Sequence, residues 1–238
     1  MSLFNAYVDG FNLEKGMLDG RPELRWLNVR KLCESLLPQN QLGTCFYFTA
    51  AKKERFQGDR EPLFHEVYLR AIASTGVTVV RGYFRNHIRA LPLAVREKRL
   101  VELIDPPLAP IILWERMMRQ ACVRAEPQRP RAMVLHTQEK RSDVSLASFL
   151  LRDGLSGNCQ GALLLTNDGD FFHPLQILKS RGFEVLLAPT ARRGRSVHLA
   201  SVASGVLQIS DSTLEEAQFS PQVHIGRGKV LSRPEGWN

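Results

Sequence analysis

GALLLTNDGDFFHPLQILKS, residues 161–180, reads as a buried strand that ends in an acidic turn and runs directly into a helix. The strand carries no polar side chain before Thr166, which is the pattern of a parallel strand covered on both faces. Pro174 falls in the first turn of the following helix, where a missing N–H does no harm. Similar β-rich runs recur outward from it: LFNAYVD (3–9), GTCFYFTAA (43–51), VTVVRGYF (77–84), AMVLHT (132–137) and FEVLLAP (183–189). Helix candidates near 26–37, 60–75, 143–153 and 171–181 lie between them. Strand and helix in alternation predict an α/β fold, a three-layer sandwich around a mostly parallel central sheet.

The chain of 238 residues suits one domain with a decorated edge, and 44% hydrophobic against 24% charged residues is the composition of a folded protein. Residues 1–205 are read as that domain, and 206–238 as a tail packing on it or extending from it. An insertion at about 85–131 is interrupted by DPPLAP (105–110) and EPQRPR (126–131). It holds ten Lys/Arg and five Asp/Glu, and so supplies five of the eight net positive charges. The start MSLFNAYVDGFN lacks the features of a signal peptide, and no apolar run reaches the roughly 18 residues of a membrane span. The expectation is a cytoplasmic protein that avoids membranes, with homo-oligomerisation left open. Cys33, Cys45, Cys122 and Cys159 are scattered, with neither zinc nor disulfide spacing, and are expected as reduced, mostly buried thiols. A net charge of +8 suits a polyanionic partner, RNA first, with the basic insertion as its contact edge. The bland alternative is a solvated surface.

In parallel α/β sheets the ligand crevice lies beyond the carboxyl ends of the strands. Asp9 leaves the first strand there, ahead of Gly10 and Asn12; Asn167, Asp168, Gly169 and Asp170 leave GALLLT. AMVLHT leads through QEKR to Ser142, a candidate helix cap, and Asp143 in the first turn. Singly, each acid reads as a turn or cap residue. Jointly, Asp9, Asp143, Asp168 and Asp170 would repel one another unless a cation balanced them. An all-oxygen set matches Mg²⁺ or Mn²⁺, which can activate water against a phosphodiester.

YVDGFNLEKG (7–16), WLNVRKLCESLLP (26–38), YFTA (47–50), QEKRSDVSLASFLLRDG (138–154), LLLTNDGDFFHPLQILKSRGFEV (163–185) and RPEGW (233–237) together resemble the NYN domain family of PIN-like ribonucleases, particularly its bacterial members. The resemblance implies a PIN-like, Rossmannoid sheet. It also implies that Asp9, Asp143, Asp168 and Asp170 are catalytic metal ligands and that RNA, single-stranded or structured, is cleaved. That family usually carries Gly where Arg141 stands, and a Ser-Asp-Ser-Asp-like or Gly-Asp-Ser-Asp-like run in place of Asn167–Asp170. Asn12, Lys140, Thr166, Arg192 and Arg193 are expected to bind the substrate. Glu139, His173 and Arg195 are weaker candidates. The expected function is therefore a metal-dependent endoribonuclease. The alternatives are an RNA-binding regulatory adaptor of the same fold and a Toprim-like or phosphatase-like metal site.

Overall fold

The computed structural model describes residues 1–54, 56–92, 131–192, 194, 196–226 and 228–237; for 86, 91, 92, 131, 132 and 134–139 only the backbone is described. Most of the basic insertion (93–130), together with Cys122, lies outside the described residues. The chain divides into two compact units, one of residues 1–84 and 139–238 and one of residues 85–138. The described part of the second comprises the outer stretches of two strands, β3 (Thr78–Pro92) and β4 (Arg131–Lys140).

The first unit is built on six parallel strands. β1 (Leu3–Asp9) pairs in parallel with β2 (Gln41–Ala51) on one side and β5 (Gly161–Leu165) on the other. β2 continues to β3, and β5 to β6 (Glu184–Ala188) and β7 (Gly205–Val206). The order is β4-β3-β2-β1-β5-β6-β7, with β4 at the β3 edge. The chain thus winds outward from β1 in both directions, which makes the β1/β5 junction the topological switch point.

Alternate residues of the sheet enter two different cores, as a strand's period of two requires. Phe4, Ala6, Val8, Leu163 and Leu165 face one layer, formed by α2 (Val29–Leu36), α3 (Glu61–Ala73) and the C-terminal segment. Tyr7, Phe46, Phe48, Ala162 and Leu164 face the other, formed by α4 (Ser142–Ser156), α5 (Phe172–Ser180) and α6 (Val197–Val202). This is the α/β three-layer sandwich. Residues 206–237 contain α7 (Asp211–Glu216) and a hairpin of β8 (Gln222–His224) and β9 (Val230–Ser232). Leu214, Leu231 and Trp237 from this segment join the first core beside Trp26 and Tyr68.

Cys33, Cys45 and Cys159 are free and buried. Among the described residues no helix is long and apolar enough to cross a membrane.

Candidate active-site crevice

At the switch point β1 ends in Asp9, whose extended backbone caps the short helix α1 (Gly10–Leu13). Its buried carboxylate accepts from the Asn12 backbone N–H at 3.0 Å, from Asn12 Nδ2 at 2.7 Å and from Thr166 Oγ1 at 2.9 Å. Gly10 is required at the next position, since a Cβ there would lie 2.6 Å from the Tyr47 ring and 2.7 Å from the Phe48 carbonyl oxygen. Burial holds the Asp9 carboxyl above its usual range; the hydrogen bonds from Asn12 and Thr166 oppose this, and the charge of Asp168 adds to it.

Asp168 leaves β5 and caps a single 3₁₀ turn, Gly169–Phe171, by accepting from Asp170 N at 3.0 Å. Its own N–H donates to Thr166 Oγ1 at 3.2 Å, so the Thr166 hydroxyl joins the two strand ends. The Asp170 residue is exposed. Asp143 lies in the first turn of α4 and is pushed up to about 6, by desolvation first and then by the charges of Asp9, Asp168 and Asp170. All four carboxylates therefore share one electrostatic neighbourhood.

That neighbourhood does not amount to a metal cage. Among the described residues no group of three or more His, Cys, Asp or Glu is placed to hold a metal ion.

The candidate substrate-binding residues separate. Thr166 is fully buried, and both it and Asn12 hydrogen-bond Asp9 and so orient that carboxylate. Arg192 donates to the Met17 and Asp19 carbonyl oxygens, both at 3.2 Å, and so ties the loop after β6 to the turn after α1. Lys140 is half-buried at the end of β4. Arg193, Arg195 and the Glu139 side chain lie outside the described residues and side chains. The His173 ring stacks edge-on against Phe172 at 5.3 Å on exposed helix surface. Ser142 is the first residue of α4 and not its cap; that position belongs to Arg141, in a left-handed conformation (φ 79°) with no capping side chain.

Three sets of contacts could not be read from spacing, although Asn167 and Arg141 themselves stand in the motifs of the sequence. Asn167 donates to the Gly194 carbonyl oxygen at 3.1 Å and accepts from Ser196 N at 2.9 Å, holding the loop that borders the crevice. Glu14, just beyond α1, pairs with Lys52 at 2.6 Å and Arg25 at 3.4 Å, and Glu61 with Arg25 at 2.7 Å. These ion pairs line a small pocket with His65, Tyr68 and Trp237. Third, the Arg141 guanidinium stacks 4.9 Å over the Tyr83 ring beside Asp143.

No family model matches the chain. It is 24% identical to 6-hydroxy-3-succinoylpyridine 3-monooxygenase HspA of Pseudomonas putida, across 97% of this chain and 74% of that protein. Among solved structures it is similar to a Vibrio parahaemolyticus protein of unknown function, at a TM-score of 0.46 and 15% identity over 88% of this chain and 94% of the other. The first similarity corrects the ribonuclease expectation, and with it the hydrolase and nuclease assignments. A relative over nearly the whole length is named for inserting oxygen into a small aromatic molecule, not for hydrolysing phosphodiesters.

Proposed function

We propose that this chain is an oxidoreductase of the monooxygenase type acting on a hydroxylated aromatic ring that bears an acidic side chain. The observation that carries this reading is the likeness to the pyridine monooxygenase along 97% of the chain.

At a ring carbon that carries hydrogen, the C–H bond gives way to C–OH with one atom of O₂, and the other atom leaves as water, the reaction consuming two protons and two electrons from a reduced nicotinamide or flavin supplied as co-substrate. Within the crevice the residue suited to act is Asp143. A carboxyl held at about 6 is mostly ionised at neutral pH, yet basic enough to take the proton of a ring hydroxyl. Removing that proton raises electron density on the ring carbon to be oxygenated. Desolvation first, and then the neighbouring Asp9, which is deeper and held by three donors, keep Asp143 basic. The net charge of +8 draws small anions toward the protein. We place the enzyme in the cytoplasm, where reduced nicotinamide is available and where Cys33 and Cys45, 3.9 Å apart and unbonded, stay reduced.

The test is to incubate purified protein with 6-hydroxy-3-succinoylpyridine, NADH and ¹⁸O₂, with and without added flavin. The expected result is O₂ uptake above blank and one ¹⁸O atom in the product by mass spectrometry. Asp143→Asn should lower the rate by about 10²–10⁴, the usual contribution of a general base. Absence of label with this compound and with a panel of related hydroxypyridine and hydroxybenzoic acids would overturn the reading.

A further inference from the structure

Arg141 is the one non-glycine residue with positive φ among the described residues. A left-handed conformation costs a long side chain about 1 kcal/mol that glycine would not incur, and strain of this kind persists where the surroundings enforce it. A Cβ on Gly82 of β3 would collide with the Lys140 carbonyl oxygen and Ser142 Oγ, so a glycine there lets β3 pack closely against the turn from β4 into α4 that Arg141 makes. The turn delivers the guanidinium onto the face of Tyr83, at 4.9 Å.

Stacking uses the face of a guanidinium and leaves its rim of N–H donors pointing outward in the plane. Among the described residues the Arg141 guanidinium makes no hydrogen bond and no ion pair, and both partners of the stack are exposed. A cation is therefore held by an aromatic ring at the border of an acidic crevice, with its hydrogen-bonding edge open.

We infer that Arg141, positioned by Tyr83, is the specificity determinant that forks the side-chain carboxylate of an aromatic substrate. The identity of the ring rests on the monooxygenase reading; the recognition of a carboxylate rests on the guanidinium alone. An acidic crevice repels an anion, and an open guanidinium at its edge is what admits an acid in one orientation, with its ring toward Asp143.

The probes are 6-hydroxy-3-succinoylpyridine and 3-acetyl-6-hydroxypyridine, which keeps the ring and ketone but lacks the acid. Binding is measured by calorimetry on wild type, Arg141→Gly and Arg141→Lys. Glycine suits the left-handed position, so Arg141→Gly should fold and its melting midpoint should rise by a few degrees, ~2–4 °C. Its Kd for the acid should increase about tenfold or more, with the Kd for the methyl ketone unchanged. Lysine should fall between, because it keeps the charge and loses the fork. A wild-type Kd for the acid in Arg141→Gly, an equal loss for both probes, or no binding of the acid by wild type would overturn the inference. Carboxylate preference without oxygen uptake would retire the monooxygenase reading alone. Oxygen uptake on the acid at the wild-type KM in Arg141→Gly would retire the role of Arg141 alone.

Discussion

Asp143 is held in its place against electrostatic cost. Three other carboxylates act on it, and its folded-state value of about 6 stands above the 3.8 of a free aspartate. A raised carboxyl binds its proton more readily in the folded than in the unfolded chain. Stability contributed this way is present at low pH and is lost as pH rises from about 4 through 6. Nominally that is about 3 kcal/mol, but the residue is exposed, and solvent screening reduces it to about 1 kcal/mol. Asp143→Asn removes the repulsion while keeping the shape. Urea titration should find it more stable than wild type by about 1 kcal/mol at pH 8 and equal to it near pH 3.5. Equal stability at pH 8 would mean that the four acids do not feel one another.

At the scale of elements, the C-terminal segment is part of the core. Trp237 meets Trp26 at 6.3 Å and Tyr68 at 5.8 Å, both edge-on, and carries the Arg25 guanidinium 4.4 Å over its ring. Trp237→Ala should therefore cost about 3–5 kcal/mol, as large-to-small changes among packed aromatics do, with a matching fall in the urea midpoint; a change below 1 kcal/mol would show the segment to be an ornament. Its role was hard to see in the sequence because a hairpin of two three-residue strands and a six-residue helix generate almost no periodicity. The sheet was legible for the opposite reason: GALLL is apolar on both faces and LFNAYV is so but for Asn5, a pattern that a doubly covered parallel strand explains. The acidic exits of β1 and β5 were equally legible, since strand ends fix where Asp9 and Asp168 stand. The partners of those acids were not. Whether Thr166 and Asn12 face a ligand or a neighbouring carboxylate depends on side-chain direction, which spacing leaves open. The chemistry was misread for a related reason: acids gathered at strand ends suit more than one reaction, and it is the likeness to a monooxygenase, not spacing, that separates them.

Across the whole molecule, pH acts on two groups of opposite sign. His65 is buried in the first core, near Thr49 and facing Lys52, Glu14, Glu61 and Glu66; desolvation and the Lys52 charge lower it to about 4. The unfolded chain takes up that proton near 6.5 and the folded chain only near 4. Stability is therefore full above 6.5 and is lost as pH falls toward 4, by about 2–3 kcal/mol at pH 4.5. Asp143 returns about 1 kcal/mol over the same interval. Glu61, Glu66 and Asp153, held below their ordinary values by arginine partners, begin to matter only at lower pH. Between pH 7 and 4.5 wild type should thus lose about 2 kcal/mol in urea titrations. His65→Leu should abolish that loss and leave the small gain from Asp143, whereas Asp143→Asn should deepen it. A His65→Leu curve parallel to wild type across this window would show that His65 takes up its proton in the folded protein as readily as in the unfolded chain, and the buried ion-pair cavity would have to be wet enough to solvate it.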